Sequence, residues 1–200
     1  MPGVATEREH LTREAIVATA RGIVVADGLD GLSLRRVASA LGVTAPALYA
    51  HIEDKHDLLE ALARAEFERL IVRLEAVDAT DPLDRVRGHA YAYVAHARSE
   101  PALFEVMFLF RPDWTPQPLV TELPAASKAF TIAAAAVEEA MATGALRADD
   151  PLKVSIALWA AAHGAATVLL AGIALGDEYE ALVVATLIDN LVRGLAAPIT

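Results

Sequence analysis

An all-α fold of about nine helices is predicted for this 200-residue chain by three features. The composition is 55% hydrophobic but only 6% aromatic, with alanine very common. Alanine and leucine are among the best helix formers, and the β-branched runs that build strands are few. Apolar residues recur at helical spacing along most of the chain, and proline or glycine separates the segments. There is no cysteine, which excludes disulfides and thiolate metal sites.

The elements follow in order. "LTREAIVATARGIVVADG" places Ile16, Ala20, Ile23 and Val24 on one face, with Thr12 as N-cap and Gly28 and Gly31 supplying the turn that ends it. Ser33 caps "LRRVASAL", and Gly42 stops it. Thr44 then caps a helix of only two turns in "LGVTAPALYAHIEDK", residues 41 to 55. Pro46 falls in its first turn, where a missing N–H costs little, so it is a start signal. Asp54 caps the long amphipathic "KHDLLEALARAEFERLIVRLEAV". The later segments are "LDRVRGHAYAYVAHARSEP", "ALFEVMFLF", "TELPAASKAFTIAAAAVEEAMATG", "DPLKVSIALWAAAHGAATVLLAG" and "DEYEALVVATLIDNLVRGLAA". "RPDWTPQPLVTELP", with its four prolines, reads as a loop.

"SLRRVASALGVTAPALYAHI" reads as helix, tight glycine turn, helix. Val37, Ala38, Leu41, Val43, Leu48 and Ile52 are the set expected to lock the pair. This is the helix-turn-helix pattern, whose second helix lies in the major groove. A short second helix suits that task, because only its first turn reaches base edges. Thr44, Ala45 and Ala47 are small enough for close approach, and an alanine there can touch a thymine methyl group. Tyr49 can hydrogen-bond a phosphate, His51 and Lys55 lie at the far end, and Arg35 can grip a guanine or clamp a phosphate. Free N–H groups near Ser33 also suit a phosphate.

The formal net charge of −10 argues against a non-specific polyanion binder. It is compatible with a small local basic surface. Residues 33 to 56 carry Arg35, Arg36 and Lys55 against Glu53 and Asp54, and are near neutral.

Residues 11 to 63 resemble the N-terminal domain of the tetracycline-repressor (TetR) family of transcriptional regulators, through the "GLDGLSLRRVASALGV" and "ALYAHIEDKHDLL" runs. The resemblance implies a homodimer that binds a palindromic double-stranded DNA operator, represses, and is released by a small ligand. It assigns DNA contacts to Ser33, Arg35, Thr44, Ala45, Tyr49, His51 and Lys55. The small Ala45 and Ala47 depart from the larger polar residues that often read bases in the family. "PALFEVMF" followed by "WAAAHG" is similar to a subgroup of the family with a Trp–His–Gly signature, here Trp159, His163 and Gly164.

The division expected is residues 1–56 for DNA and residues 57–200 for ligand sensing and dimerisation. A half-site read by one short helix is little sequence, and a two-fold dimer doubles it, with half-sites about 34–36 Å apart or a multiple. The last two helices, about 154–175 and 178–195, are expected to pair across that axis, with Leu182, Ala185, Leu187, Ile188 and Leu191 as an apolar face. A largely apolar effector is expected among Tyr93, Phe104, Met107, Phe108, Trp114, Phe130, Trp159 and His163, a mostly apolar set with a few polar tips. The same cluster is compatible with plain core. No cofactor or metal is expected.

"VSIALWAAAHGAATVLLAGIAL", residues 154 to 175, has no Asp, Glu, Lys or Arg and is long enough to span a bilayer. Its alanine content, His163 and Gly164 at its centre and its sparse basic flanks favour a buried core or a subunit interface. The start, "MPGVATEREHLTREAIV", is too charged for a signal peptide, so a cytoplasmic protein is expected. Two rivals remain. One is a metal-dependent helical enzyme, with His89, His96, Glu100 and Glu105 as candidates, although neither His89 nor His96 completes a Glu-x-x-His pair and no P-loop or HExxH is present. The other is a protein-binding scaffold.

Overall fold

The structure is a computed structural model and describes residues 11–108, 124–172 and 176–198. The expected loop at 111–124, all but Pro124, lies outside the described residues, as do Phe110 and Trp114; Pro124 is the first residue of a helix. Among those described there are nine α-helices and no strand, with one isolated bridge between Leu146 and Ala196. Two compact units, Met1–Ala63 and Arg64–Thr200, divide inside one continuous helix.

The first unit holds α1 (Arg13–Asp27), α2 (Leu34–Leu41), α3 (Ala45–Tyr49) and the start of α4 (Lys55–Glu75). Short polar side chains start three of these helices by accepting backbone N–H groups that have no intrahelical partner. Thr12 accepts from Ala15 at 3.2 Å, Ser33 from Arg36 at 3.2 Å and Asp54 from Asp57 at 2.8 Å. Thr44 occupies the N-cap position of α3, but its hydroxyl makes no capping bond. Pro46 lies in the first turn of α3, so that helix begins with one fewer N–H to satisfy. Between α2 and α3, Gly42 sits in the left-handed region at φ 65°, and the Val43 N–H closes the turn on the Ala38 carbonyl at 3.0 Å.

Ile16, Ala20, Val24, Leu32, Val37, Leu48, Ile52, Leu58 and Leu62 form the core of this unit. Each large apolar side chain buried there contributes about 1.5–3 kcal/mol. Leu41 and Val43, expected in the locking set, are only half-buried. They flank the left-handed glycine, where the chain turns at the surface.

In the second unit α5 (Pro82–Ser99) packs on α6 (Pro101–Met107), α7 (Pro124–Ala142), α8 (Pro151–Leu170) and α9 (Asp177–Leu195). The inward stripe of α5 runs through Val86, Ala90, Tyr93, Val94 and Ala97. Four helices here start on a proline, and Asp81 and Asp150 cap α5 and α8. Polar ties fasten α5 to α9: Arg98 to Glu180 at 3.0 Å, and both Arg87 (3.5 Å) and Tyr91 (3.4 Å) to Asp189. Past α9 the chain pairs with the α7–α8 turn, through Arg147 N–H to Leu195 O at 2.9 Å and Ala197 N–H to Ala145 O at 3.0 Å.

Each of the last two helices splits its apolar residues between a buried and an exposed side, and on α9 this corrects one expectation. By length and composition α8 is apolar enough to cross a membrane. It is not buried all round. Val154, Ser155, Leu158, Ala162, Ala165 and Ala166 face inward, while Leu152, Trp159 and Val168 are exposed. On α9, Ile188 does not share an outer face with Leu182 and Leu187. Val184, Ile188 and Val192 recur every four residues and are buried, whereas Leu182 and Leu187 are exposed. At about 100° per residue Ile188 lies at the centre of the buried arc, with Leu187 about 100° to one side of it and Leu182 about 120° to the other.

Candidate nucleic-acid interface and ring cluster

Helix α3 separates its faces sharply. Leu48 is 0% exposed, as is Ile52 just past the helix end, while Tyr49 is 54% exposed. Thr44, Ala45, Pro46 and Ala50 are exposed beside Tyr49, and Ala47 is half-buried. Lys55, at the start of α4, and Ser33 and Arg35, at the start of α2, are exposed too, and His51 is half-buried. The two adjacent arginines of α2 differ. Arg36 pairs with Asp27 and donates to the Gly31 carbonyl at 3.3 Å. Arg35 and Lys55 pair with no described residue, which keeps their charge available. The outer face of α3 carries no carboxylate. This surface offers two cations, a phenol and small apolar contacts, which suits a polyanion whose base edges must be approached closely.

A polar clamp, which the sequence reading missed, holds the segment after α3. The Arg13 guanidinium donates to the His51 carbonyl at 2.7 Å and to Asp57 Oδ2 at 3.0 Å, with a second, shorter bond to Asp57 Oδ1. Asp57 Oδ2 also accepts the Glu53 N–H at 2.9 Å. The bond to Asp57 raises the Arg13 pKa further above its ordinary value, so the guanidinium stays charged.

In the second unit five of the residues singled out for a ligand come together. His163 on α8 is the hub. Its ring centroid lies 4.7 Å from Phe108, 5.4 Å from Trp159, 5.7 Å from Phe104 and 6.2 Å from Tyr93. Trp159 stacks on it with an interplanar angle of 26°. Phe67 of α4 meets Phe108 edge-on at 6.0 Å. The Tyr93 hydroxyl and His163 Nδ1 are 2.8 Å apart. Burial pushes the Tyr93 hydroxyl pKa well up, with the Trp159 side chain acting weakly the other way, and burial pushes the His163 pKa down. The cluster is therefore uncharged, apolar on its faces and polar at two tips. Met107 is buried on α6 and Phe130 is half-buried on α7, outside these ring contacts. Trp114 lies outside the described residues.

Two further features complete the second unit. An apolar groove runs along α9, lined by Tyr179, Leu182, Val183, Thr186, Leu187, Asn190 and Leu191. Among the described residues no group of three His, Asp or Glu is placed to hold a metal ion. His89 and His96, the metal candidates of the sequence, are both buried on α5.

Comparison with known proteins places these two units. Residues 16–62 match the pattern of bacterial regulatory proteins of the tetR family, and residues 86–193 match the tetracyclin repressor-like C-terminal domain. The chain is 49% identical over 55 residues to the class C tetracycline repressor of Escherichia coli, a stretch covering 28% of this chain and 25% of that repressor. It is 27% identical over 164 residues to an uncharacterized HTH-type transcriptional regulator of Mycobacterium tuberculosis, covering 82% of this chain and 72% of that one. Its fold is similar to that of a protein of unknown function from Rhodococcus sp. RHA1, with a TM-score of 0.81, 29% identity and coverage of 96% and 99% of the two chains. With the N-terminal and C-terminal patterns both present, the second spanning more than half of its length, this chain belongs to the TetR family and is a DNA-binding transcriptional regulator.

Proposed function

We propose that the chain acts in the cytoplasm as a homodimeric repressor, bound to a palindromic operator through α3 and released by a small, largely apolar effector. Residues 1–56 read DNA in this scheme, and residues 57–200 sense the effector and dimerise. The observation that carries it is the division of α3, with Leu48 wholly buried behind an outward Tyr49. Thr44, Ala45 and Ala47 allow close approach to base edges, Tyr49 meets a phosphate, His51 and Lys55 reach the same strand, and Ser33 and Arg35 add contacts from the start of α2.

The effector is proposed to enter among Tyr93, Phe104, Phe108, Trp159 and His163, with Met107 and Phe130 adding apolar surface. His163 and Tyr93 would orient it, since they are the polar tips of an otherwise apolar set. Release is a population shift, and an effector moves the balance only by its differential affinity for the two states. Helix α4, continuous from Lys55 to Glu75, is the covalent path between the two units.

The test is selection of fragments from genomic DNA, followed by affinity measurement on the recovered duplex. Tyr49→Ala and Lys55→Ala are each expected to weaken binding, and Lys55→Ala to lower the salt slope by about 0.9, the share of one neutralised phosphate. Absence of any duplex held more tightly than scrambled DNA rejects this reading and favours a scaffold.

A further inference from the structure

We propose that Arg13 is a positioning residue for operator binding: by bridging the His51 carbonyl to Asp57, it fixes the angle at which α3 presents Tyr49. The inference rests on the reading of α3 as the DNA-reading helix.

Helix α3 is only five residues long. A helix that short has almost no stability of its own, because nucleation costs more than its few bonds return. Its N-terminus lacks a side-chain cap bond. Its orientation must come from outside. Leu48 anchors its inner face and Ile52 the connection that follows, and both contacts lie on one side. The clamp supplies the second constraint, and it acts on the C-terminal side, where Tyr49 is.

The geometry joins three pieces of chain. Arg13 is the first residue of α1, His51 and Glu53 belong to the connection after α3, and Asp57 is in the first turn of α4. Arg13 holds the His51 carbonyl at 2.7 Å, and Asp57 holds the Glu53 N–H at 2.9 Å. Asp57 is itself fixed from both sides, by the Arg13 guanidinium and by its own N–H on Asp54 Oδ1 at 2.8 Å. The connection between Tyr49 and Lys55 is thus gripped at two successive backbone groups. Any displacement of the start of α4 is passed to α3 through rigid bonds and not through a loose loop. A forked guanidinium suits this better than an ammonium, because it meets both carboxylate oxygens and still reaches a carbonyl.

The experiment compares Arg13→Gln, Arg13→Lys, Asp57→Asn and the double variant with the full, unsubstituted chain. Hydrogen exchange comes first, since it needs no DNA. Arg13→Gln is expected to speed exchange at residues 50–57 while Ile16, Ala20 and Val24 in α1 keep their protection. Affinity for a duplex selected from genomic DNA by the unsubstituted protein is measured next, at several salt concentrations. Arg13→Gln is expected to weaken binding by about tenfold or more, the scale of one lost charge-assisted hydrogen bond, with the salt slope unchanged. Arg13→Lys should recover part of the loss. The double variant should bind about as well as Asp57→Asn alone, because the two residues act as one unit.

Three results would overturn the proposal: unchanged exchange at 50–57, unchanged affinity, or a salt slope lowered by about 0.9 in Arg13→Gln, which would make Arg13 itself a phosphate contact. Failure of the unsubstituted protein to retain any duplex rejects the DNA reading and this inference together. Retention with undiminished affinity in Arg13→Gln rejects this inference alone.

Discussion

The Tyr93 hydroxyl lies 2.8 Å from Nδ1 of His163, joining α5 to α8 inside the ring cluster. Burial holds the phenol protonated, so its O–H donates and Nδ1 accepts. The ring proton of His163 then sits on Nε2. One hydroxyl therefore sets the tautomer of the hub residue. Tyr93→Phe keeps the ring but removes the donor, leaving Nδ1 without its partner. The expected cost is about 0.5–1.5 kcal/mol, the net worth of one hydrogen bond, since His163 is half-buried and water can reach part of the ring. Urea unfolding followed by circular dichroism measures it, and an unchanged midpoint would mean that the contact contributes nothing.

Acid is expected to destabilise the second unit through two histidines. Burial lowers the pKa of His163 and of His89 in the folded chain from the ordinary value of 6.5, although the Leu74 carbonyl acts in the opposite direction at His89. Above that value both states are neutral at these positions, and their contribution does not vary with pH. As pH falls below it the unfolded chain takes up protons first, so stability drops, and the drop levels off once pH passes the folded values. Urea midpoints between about pH 7.5 and pH 5 should fall. His89→Gln should flatten the decline. A parallel curve for that variant would remove His89 from the account.

Gly42 provides a cleaner backbone test. Its φ of 65° lies in the left-handed region, and a Cβ added there meets nothing within 4 Å. Replacement by alanine therefore carries a conformational cost without a clash, about 1–2 kcal/mol. Asparagine, which tolerates this region better, should cost less. The order Gly, Asn, Ala in stability is the expected outcome of thermal melts. An alanine variant as stable as the parent would show that the α2–α3 turn can close in another way.

Local signals were legible in the sequence and distant pairings were not. Thr12, Ser33 and Asp54 could be read as caps because a cap depends on residues three positions away. Pro46 could be read as a start for the same reason. Pro82 and Pro101 read as separators and Pro124 and Pro151 fell near the starts of their segments, and the four are the first residues of α5, α6, α7 and α8. The Arg13–Asp57 clamp joins residues 44 positions apart, and nothing local says which charges will meet. Tyr93, Phe104, Phe108, Trp159 and His163 stood out one by one as large or polar-tipped side chains. Their convergence on His163 depends on how α5, α6 and α8 pack, which periodicity does not specify. The outer face of α9 was misread at Ile188 because that helix is apolar on two arcs, and sequence alone does not say which arc meets the bundle.

The two arcs of α9 make opposite predictions for dimerisation. Leu182 and Leu187 are exposed at 59% and 41%, and Tyr179 and Trp159 are exposed as well, on α9 and the adjacent α8. If this outer arc is the two-fold contact, a carboxylate placed there is desolvated and paired with its own copy across the axis. Leu182→Glu with Leu187→Glu is expected to raise the dimer dissociation constant by about thirtyfold or more, as loss of a central interface anchor does. Light scattering should then find monomers whose circular dichroism matches the parent, with operator affinity lost. Ile188→Glu should behave differently. Ile188 is 1% exposed, so a charge there has no partner and no water, and the second unit itself should unfold. A doubly substituted protein that stays dimeric at the concentration where the parent is dimeric would move the interface off α9.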